Sequence, residues 1–179
     1  MTPQTRRLIP VAFANFFGTL NDNAFKNISI LIMAMAITDS SEELILNARI
    51  SIVFTVPFIL FSVFAGWAGD RFCRHKVMGF AKACELPIML VGSVAVMLYD
   101  SSNPSPLLGG LLYSCVFLMA VQSTFFVPAR ASIMPQLFNE QEIKDANGKL
   151  ELLNFAGIIL GTALAGVCVT YKASLLVLP

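Results

Sequence analysis

In the stretch Asn21-Asp22-Asn23-Ala24-Phe25-Lys26, a carboxylate precedes an ammonium by four residues and is flanked by amides. On a helix that spacing puts Asp22 and Lys26 on one face, in the acid-before-base order that favours pairing. Advancing roughly 100° per residue brings Asn15, Gly18, Thr19, Asp22, Lys26 and Ser29 within an arc of about 100°. Two uses of this polar and small stripe stay open. Either the pair neutralises itself and joins its helix to neighbours by hydrogen bonds, or the stripe walls a hydrated cavity that meets a polar solute. The flanking amides extend polarity along the same side and favour the cavity. So does the rule that dry buried ion pairs seldom recover their desolvation cost.

Other residues extend the set. Lys82 and Glu85 are three apart, so Glu85 can accept from Lys82 while the lysine reaches toward the membrane surface. Gln122, Ser123 and Thr124 precede Phe125-Phe126-Val127-Pro128-Ala129-Arg130, where Pro128 frees a carbonyl and bends the helix. Arg130 is placed either to bind an anion or to snorkel to headgroups, being about five residues from Pro135. Gly157 and Gly161 have the four-residue spacing of a helix-packing seam. Histidine chemistry is nearly excluded: His75 is the single histidine, and Phe80 stands five residues on, where an H-x-x-x-x-D acyltransferase needs aspartate. Cys73, Cys84, Cys115 and Cys168 are scattered without a C-x-x-C and read as small hydrophobes. We expect no enzyme activity, metal or cofactor, and no P-loop is present.

The elements that position these residues follow from composition. The chain has 179 residues, 56% hydrophobic and 13% charged, with a mean hydropathy of +0.75, too apolar for a soluble domain. Twelve Lys and Arg against 11 Asp and Glu give a net charge of +1, which offers nucleic acid no basic surface. Apolar runs predict about five membrane spans, at about 8–37, 50–69, 77–99, 106–135 and 150–171, with 173–179 as the start of a sixth. The fold class is thus an all-α polytopic membrane protein, with lipid as its surroundings. The first run has no small-residue cleavage pattern and is expected to remain as a membrane helix rather than a signal peptide. Arg6 and Arg7, then Arg71, Arg74 and Lys76, then Lys144 and Lys149 mark alternate connections as cytoplasmic. The N-terminus is therefore expected inside, with Arg49 and Lys172 as exceptions.

Between the second and third runs lies Gly66-Trp67-Ala68-Gly69-Asp70-Arg71-Phe72-Cys73-Arg74-His75-Lys76. Gly66 permits close helix approach, Asp70 can meet a helix N-terminus, and Arg71 and Arg74 can join a charge network that breaks when halves rock apart. This turn resembles the G-x-x-x-D-R-x-G-R-K loop of the major facilitator superfamily at Gly66, Asp70, Arg71 and Arg74, with Cys73 replacing the second glycine. Three further segments resemble the lysophospholipid transporter branch of that superfamily. They are Phe16 to Lys26, Phe125 to Arg130, and Ile133-Met134-Pro135-Gln136-Leu137-Phe138 followed by Ala146-Asn147-Gly148.

The resemblance implies the N-terminal six-helix half of a two-half transporter, here only in part. Its implied cargo is a lysophospholipid such as lysophosphatidylethanolamine, moved inward across the bacterial inner membrane by alternating access. Asn21, Asp22, Asn23 and Lys26 become candidates for head-group or gating contacts, joined by Glu85, Gln122 and Arg130 from the residue reading. Gly66, Asp70, Arg71 and Arg74 become the conformational switch. Implied partners are a C-terminal half or a second copy and, as in some fused relatives, acyltransferase and acyl-carrier-protein ligase domains. Transport of another small organic solute or drug is the close competitor. A truncated membrane interaction module that does not transport is the competitor from another class.

Overall fold

A computed structural model describes the backbone of residues 3–177 and the side chains of residues 6–172. Among the described residues all regular structure is helical: α1 (Pro3–Ala34), α2 (Ser40–Arg71), α3 (Arg74–Leu98), α4 (Pro106–Leu137) and α5 (Glu140–Val177). The helices are longer than the apolar runs because polar flanks are also helical. Asp39 caps α2 by accepting from the Ser41 amide, and Glu42 and Glu43 fill the first turn, where the positive end of the helix favours acids. The hydrogen bonds from Ser41 hold the Asp39 carboxyl below the usual carboxylate range.

The largest departure lies between the fourth and fifth spans, where the charged stretch 136–149 was expected to be a break. Only Phe138 and Asn139 separate the helices. The Asn139 amide donates to Glu142 at 3.2 Å while its carbonyl accepts from the Glu142 and Ile143 amides, a reciprocal cap that starts α5 early. Lys149 and Asp145 then pair at 2.6 Å, one turn apart. At the other end α5 runs unbroken through Val177. The expected start of a sixth span at Ala173 is therefore a continuation of the fifth helix, and residues 178–179 lie outside the described residues.

Four helices, α2 to α5, are long and apolar enough to cross a membrane. The first, also 32 residues long, is not among them, because Asn21-Asp22-Asn23, Lys26 and Asn27 interrupt its apolar run. It is held by packing, chiefly along α5, while α2 and α3 pack chiefly on α4. Half of the apolar stretch of α4 is buried inside the bundle against 17–22% for α2, α3 and α5, so α4 is the central helix.

Two apolar clusters brace the bundle. One contains Phe25, Ile32, Ile50, Leu112, Val116 and Met119; the other contains Leu8, Val11, Met134, Phe138, Ala146 and Leu150. Along α1 and α4 the buried polar residues Asn15, Asp22, Gln122, Ser123 and Thr124 lie between these clusters. Lys172, an exception to the positive-inside pattern, donates to the carbonyls of Val96 (2.5 Å) and Tyr99 (2.7 Å), covering carbonyls left open at the end of α3. Lys172→Met is expected to cost about 1 kcal/mol. The check is hydrogen exchange in the last turn of α3, expected about fivefold faster; an unchanged rate would show that solvent serves those carbonyls equally well.

Candidate functional site

The polar layer surrounds a cavity of about 310 Å³ between α1, α2, α3, α4 and α5. Asn15, Gly18, Thr19 and Asp22 of the α1 stripe line it, so the 3.6-residue period does put them on one wall, and Asn23, outside the stripe, lines it too. Lys26 and Ser29 do not line it. The expected Asp22–Lys26 ion pair is absent: Asp22 turns to α4, and Lys26 Nζ sits 5.1 Å from the centre of the Phe54 ring on α2, a cation held on an aromatic face. Ser29 is fully buried and donates to the Phe25 carbonyl within its own helix.

Asp22 is 8% exposed. Its Oδ2 accepts from Ser123 Oγ at 2.6 Å, and Ser123 Oγ accepts from Gln122 Nε2 at 2.9 Å. The other Asp22 oxygen, Oδ1, is buried without a partner, as is Gln122 Oε1. Buried acceptors of that kind mark places where a further donor fits. Asn23 lines the cavity but spends its amide on the Thr19 carbonyl of its own helix.

A second cluster ties α1 to α3. Glu85 accepts from Asn21 Nδ2 at 2.7 Å and pairs with Lys82 at 2.5 Å. Lys82 also lies 4.9 Å from the Phe126 ring centre. A Cβ on Gly18 would collide with the Lys82 ammonium, so glycine there gives the lysine its path into the cavity. The Lys82–Glu85 pair thus forms as its spacing suggests, but Lys82 turns into the cavity instead of reaching toward the membrane surface.

The third cluster joins α1, α4 and α5. Arg130 donates from Nη1 to Asn15 Oδ1 at 2.7 Å and reaches Glu151 at 3.4 Å, while Thr19 donates to Asn154 at 2.6 Å. With its side chain 15% exposed, Arg130 does not snorkel outward; it lines the cavity. Glu151 and Asn154 were not singled out from sequence. The available signal was their position on the α5 face that continues into Gly157 and Gly161, because this face packs on α1.

The α2–α3 turn is short, Phe72 and Cys73 only. Gly66 does not mediate the close approach expected of it, since a Cβ there would meet nothing within 4 Å; buried Gly69 instead faces the Ala129 backbone of α4. Cys73 has φ of −60°, so this turn needs no glycine. Asp70 is exposed without a hydrogen bond or ion pair among the described residues, and Arg71 stacks over Trp67 at 5.7 Å. Arg74 keeps a buried Nε without a partner. The expected charge network is therefore unformed within these five helices.

A membrane bundle whose polar side chains converge on one central cavity is the architecture of a solute transporter. Residues 11–177 match the Major Facilitator Superfamily, and the chain belongs to that family. Its relatives include the lysophospholipid transporter LplT of Salmonella arizonae, 27% identical over 164 residues, covering 91% of this chain and 36% of that protein. LplT of Yersinia pestis is 25% identical over 163 residues, with the same two coverages. The chain thus spans about a third of the length of these relatives. No solved structure matches. The helix partnerships fit the inverted three-helix repeat of this superfamily: exchanging α1 with α4 and α2 with α5 converts the α1–α5 contact into the α4–α2 contact, and these are two of the most extensive in the bundle.

Proposed function

We propose that this chain forms the N-terminal helices of a transporter that moves lysophospholipid, such as lysophosphatidylethanolamine, inward across the bacterial inner membrane by alternating access. The observation that carries the reading is the polar cavity between two apolar clusters, with an unpartnered Asp22 oxygen on one side and Arg130 on the other. In this reading Asp22 Oδ1 receives the ammonium of the head group, and Arg130 exchanges its long contact to Glu151 for the phosphate. Asn21, Asn23, Lys26, Glu85 and Gln122 hold or gate those groups. The N-terminus faces the cytoplasm, as the distribution of Lys and Arg suggests. Asp70, Arg71 and Arg74, left unpaired here, close against helices of a C-terminal half or second copy, with Gly66 beside them. Acyltransferase and acyl-carrier-protein ligase domains are the proposed downstream partners.

Labelled lysophosphatidylethanolamine transfer into liposomes tests this, with the chain alone compared with the chain supplied with a matching C-terminal half, at equal insertion. Transfer is expected only with the second half. Transfer by neither preparation would overturn the proposed cargo.

A further inference from the structure

Apart from the polar cavity, a hollow of about 810 Å³ lies between the end of α2, the first half of α3 and the middle of α4. Val77, Phe80, Ile88, Leu118, Val121 and Phe125 make its walls apolar, and Phe80 and Leu118 are 73% and 48% exposed. One end differs. Arg71 and Lys76 line the same hollow at the α2–α3 turn, and neither makes an ion pair among the described residues. Three bases, Arg71, Arg74 and Lys76, against one acid, Asp70, leave the turn at net +2 with His75 neutral.

An apolar trough with a cationic mouth complements a phospholipid lying against the protein, the phosphate at the turn and one acyl chain along the helices. The dimensions agree. From Lys76 to Ile88 the trough follows twelve steps of α3, roughly 18 Å, against roughly 15 Å for the hydrocarbon of one leaflet. The excess of positive charge favours a head group with net negative charge over a zwitterionic one.

We propose that this groove holds an acidic phospholipid of the leaflet bordering the α2–α3 turn, its phosphate on Arg71 and Lys76. This lipid is a bound companion of the fold and not the cargo. Its site shares Gln122 with the polar network and Arg71 with the proposed closing contact; neither depends on which cargo is carried, so it stands whether or not the cargo is lysophospholipid.

Trp67, the single tryptophan, reports on the mouth: its ring lies 5.7 Å from Arg71 and 5.9 Å from the Phe72 ring. The full chain in phosphatidylcholine vesicles is titrated with dibrominated phosphatidylglycerol or dibrominated phosphatidylcholine while Trp67 quenching is read. The acidic lipid is expected to be preferred about 30-fold, from two cations at the mouth. The preference should vanish in Arg71→Gln/Lys76→Gln and persist in Lys144→Gln, which lies outside the groove. If the double variant inserts poorly, Lys76→Gln alone should leave about fivefold. Equal quenching by both lipids, or a preference surviving the double substitution, overturns the proposal. So does displacement by inorganic phosphate, the behaviour of a plain anion site. Quenching by neither lipid would mean that protein covers the groove, and also overturns it.

Discussion

Asp22→Asn, in the assembled transporter, is expected to lower lysophospholipid transfer at least about tenfold, because a hydrogen bond to a charged group is worth about 1.5–3 kcal/mol. The substitution keeps the shape and removes the charge. Ser123 donates its hydroxyl proton to Asp22 Oδ2; the asparagine carbonyl can accept that bond, which puts the amide nitrogen, a donor, where the unpartnered oxygen stood. That position would lose the charge that attracts an ammonium. Insertion is expected to be unchanged or easier, since a charge within the bilayer costs about 2.5–3.5 kcal/mol on insertion scales. Loss of transfer with intact insertion therefore separates a head-group contact from a folding role. The measurement is initial transfer rate at matched insertion, with Asp145→Asn as control; Asp145 pairs with Lys149 on the exposed surface. Transfer within twofold of the unsubstituted protein would remove Asp22 from the site.

What sequence reveals here divides along a physical line. The helix bodies were legible because lipid demands long apolar runs, and those runs are visible without knowing their neighbours. The α1 wall of the cavity was legible for a similar reason: Asn15, Gly18, Thr19 and Asp22 share a face on any helix. The partners of those residues were not legible. Asp22 and Lys26 sit at the spacing of an ion pair, yet Ser123 on α4 and Phe54 on α2 compete successfully for them. That outcome depends on interhelical distances that no local spacing encodes. Arg130 shows the same limit, because outward snorkelling and inward pairing with Asn15 differ only in how α1 and α4 face each other. The helical state of the charged stretch before Lys149 is hidden for another reason. Polarity marks the end of a membrane span but not the end of a helix, and the Asn139–Glu142 cap carries α5 well beyond the lipid-facing segment.

Gly161→Ala is expected to be the most destabilising single-methyl change in the α1–α5 seam. A Cβ at Gly161 would run into the Leu20 carbonyl oxygen and lie 3.1 Å from the Ala24 nitrogen and 3.2 Å from Asn23 Cβ. Backbone atoms cannot rotate away as a side chain can, so the helices must separate, at an overpacking cost of about 1–3 kcal/mol. At Gly157 the same methyl would sit 3.0 Å from the Phe16 carbonyl and 3.2 Å from the Leu20 nitrogen, tight but less severe. At Gly166 it would meet nothing within 4 Å, and alanine there should be neutral or stabilising through its better helix propensity. The expected order of destabilisation is therefore Gly161, then Gly157, then Gly166, read as unfolding midpoints of the three alanine variants in detergent. The effect reaches function because this seam sets the distance between the two polar walls. Asn15, Thr19 and Asp22 come from α1, while Asn154 and Glu151 come from α5 about one and two turns before Gly157. Widening the seam should break the 2.6 Å Thr19–Asn154 bond and loosen Arg130 between Asn15 and Glu151. Gly161→Ala should then lower transfer as well as stability, and Gly166→Ala neither. Equal destabilisation at Gly161 and Gly166 would show that the seam is not set by backbone contact.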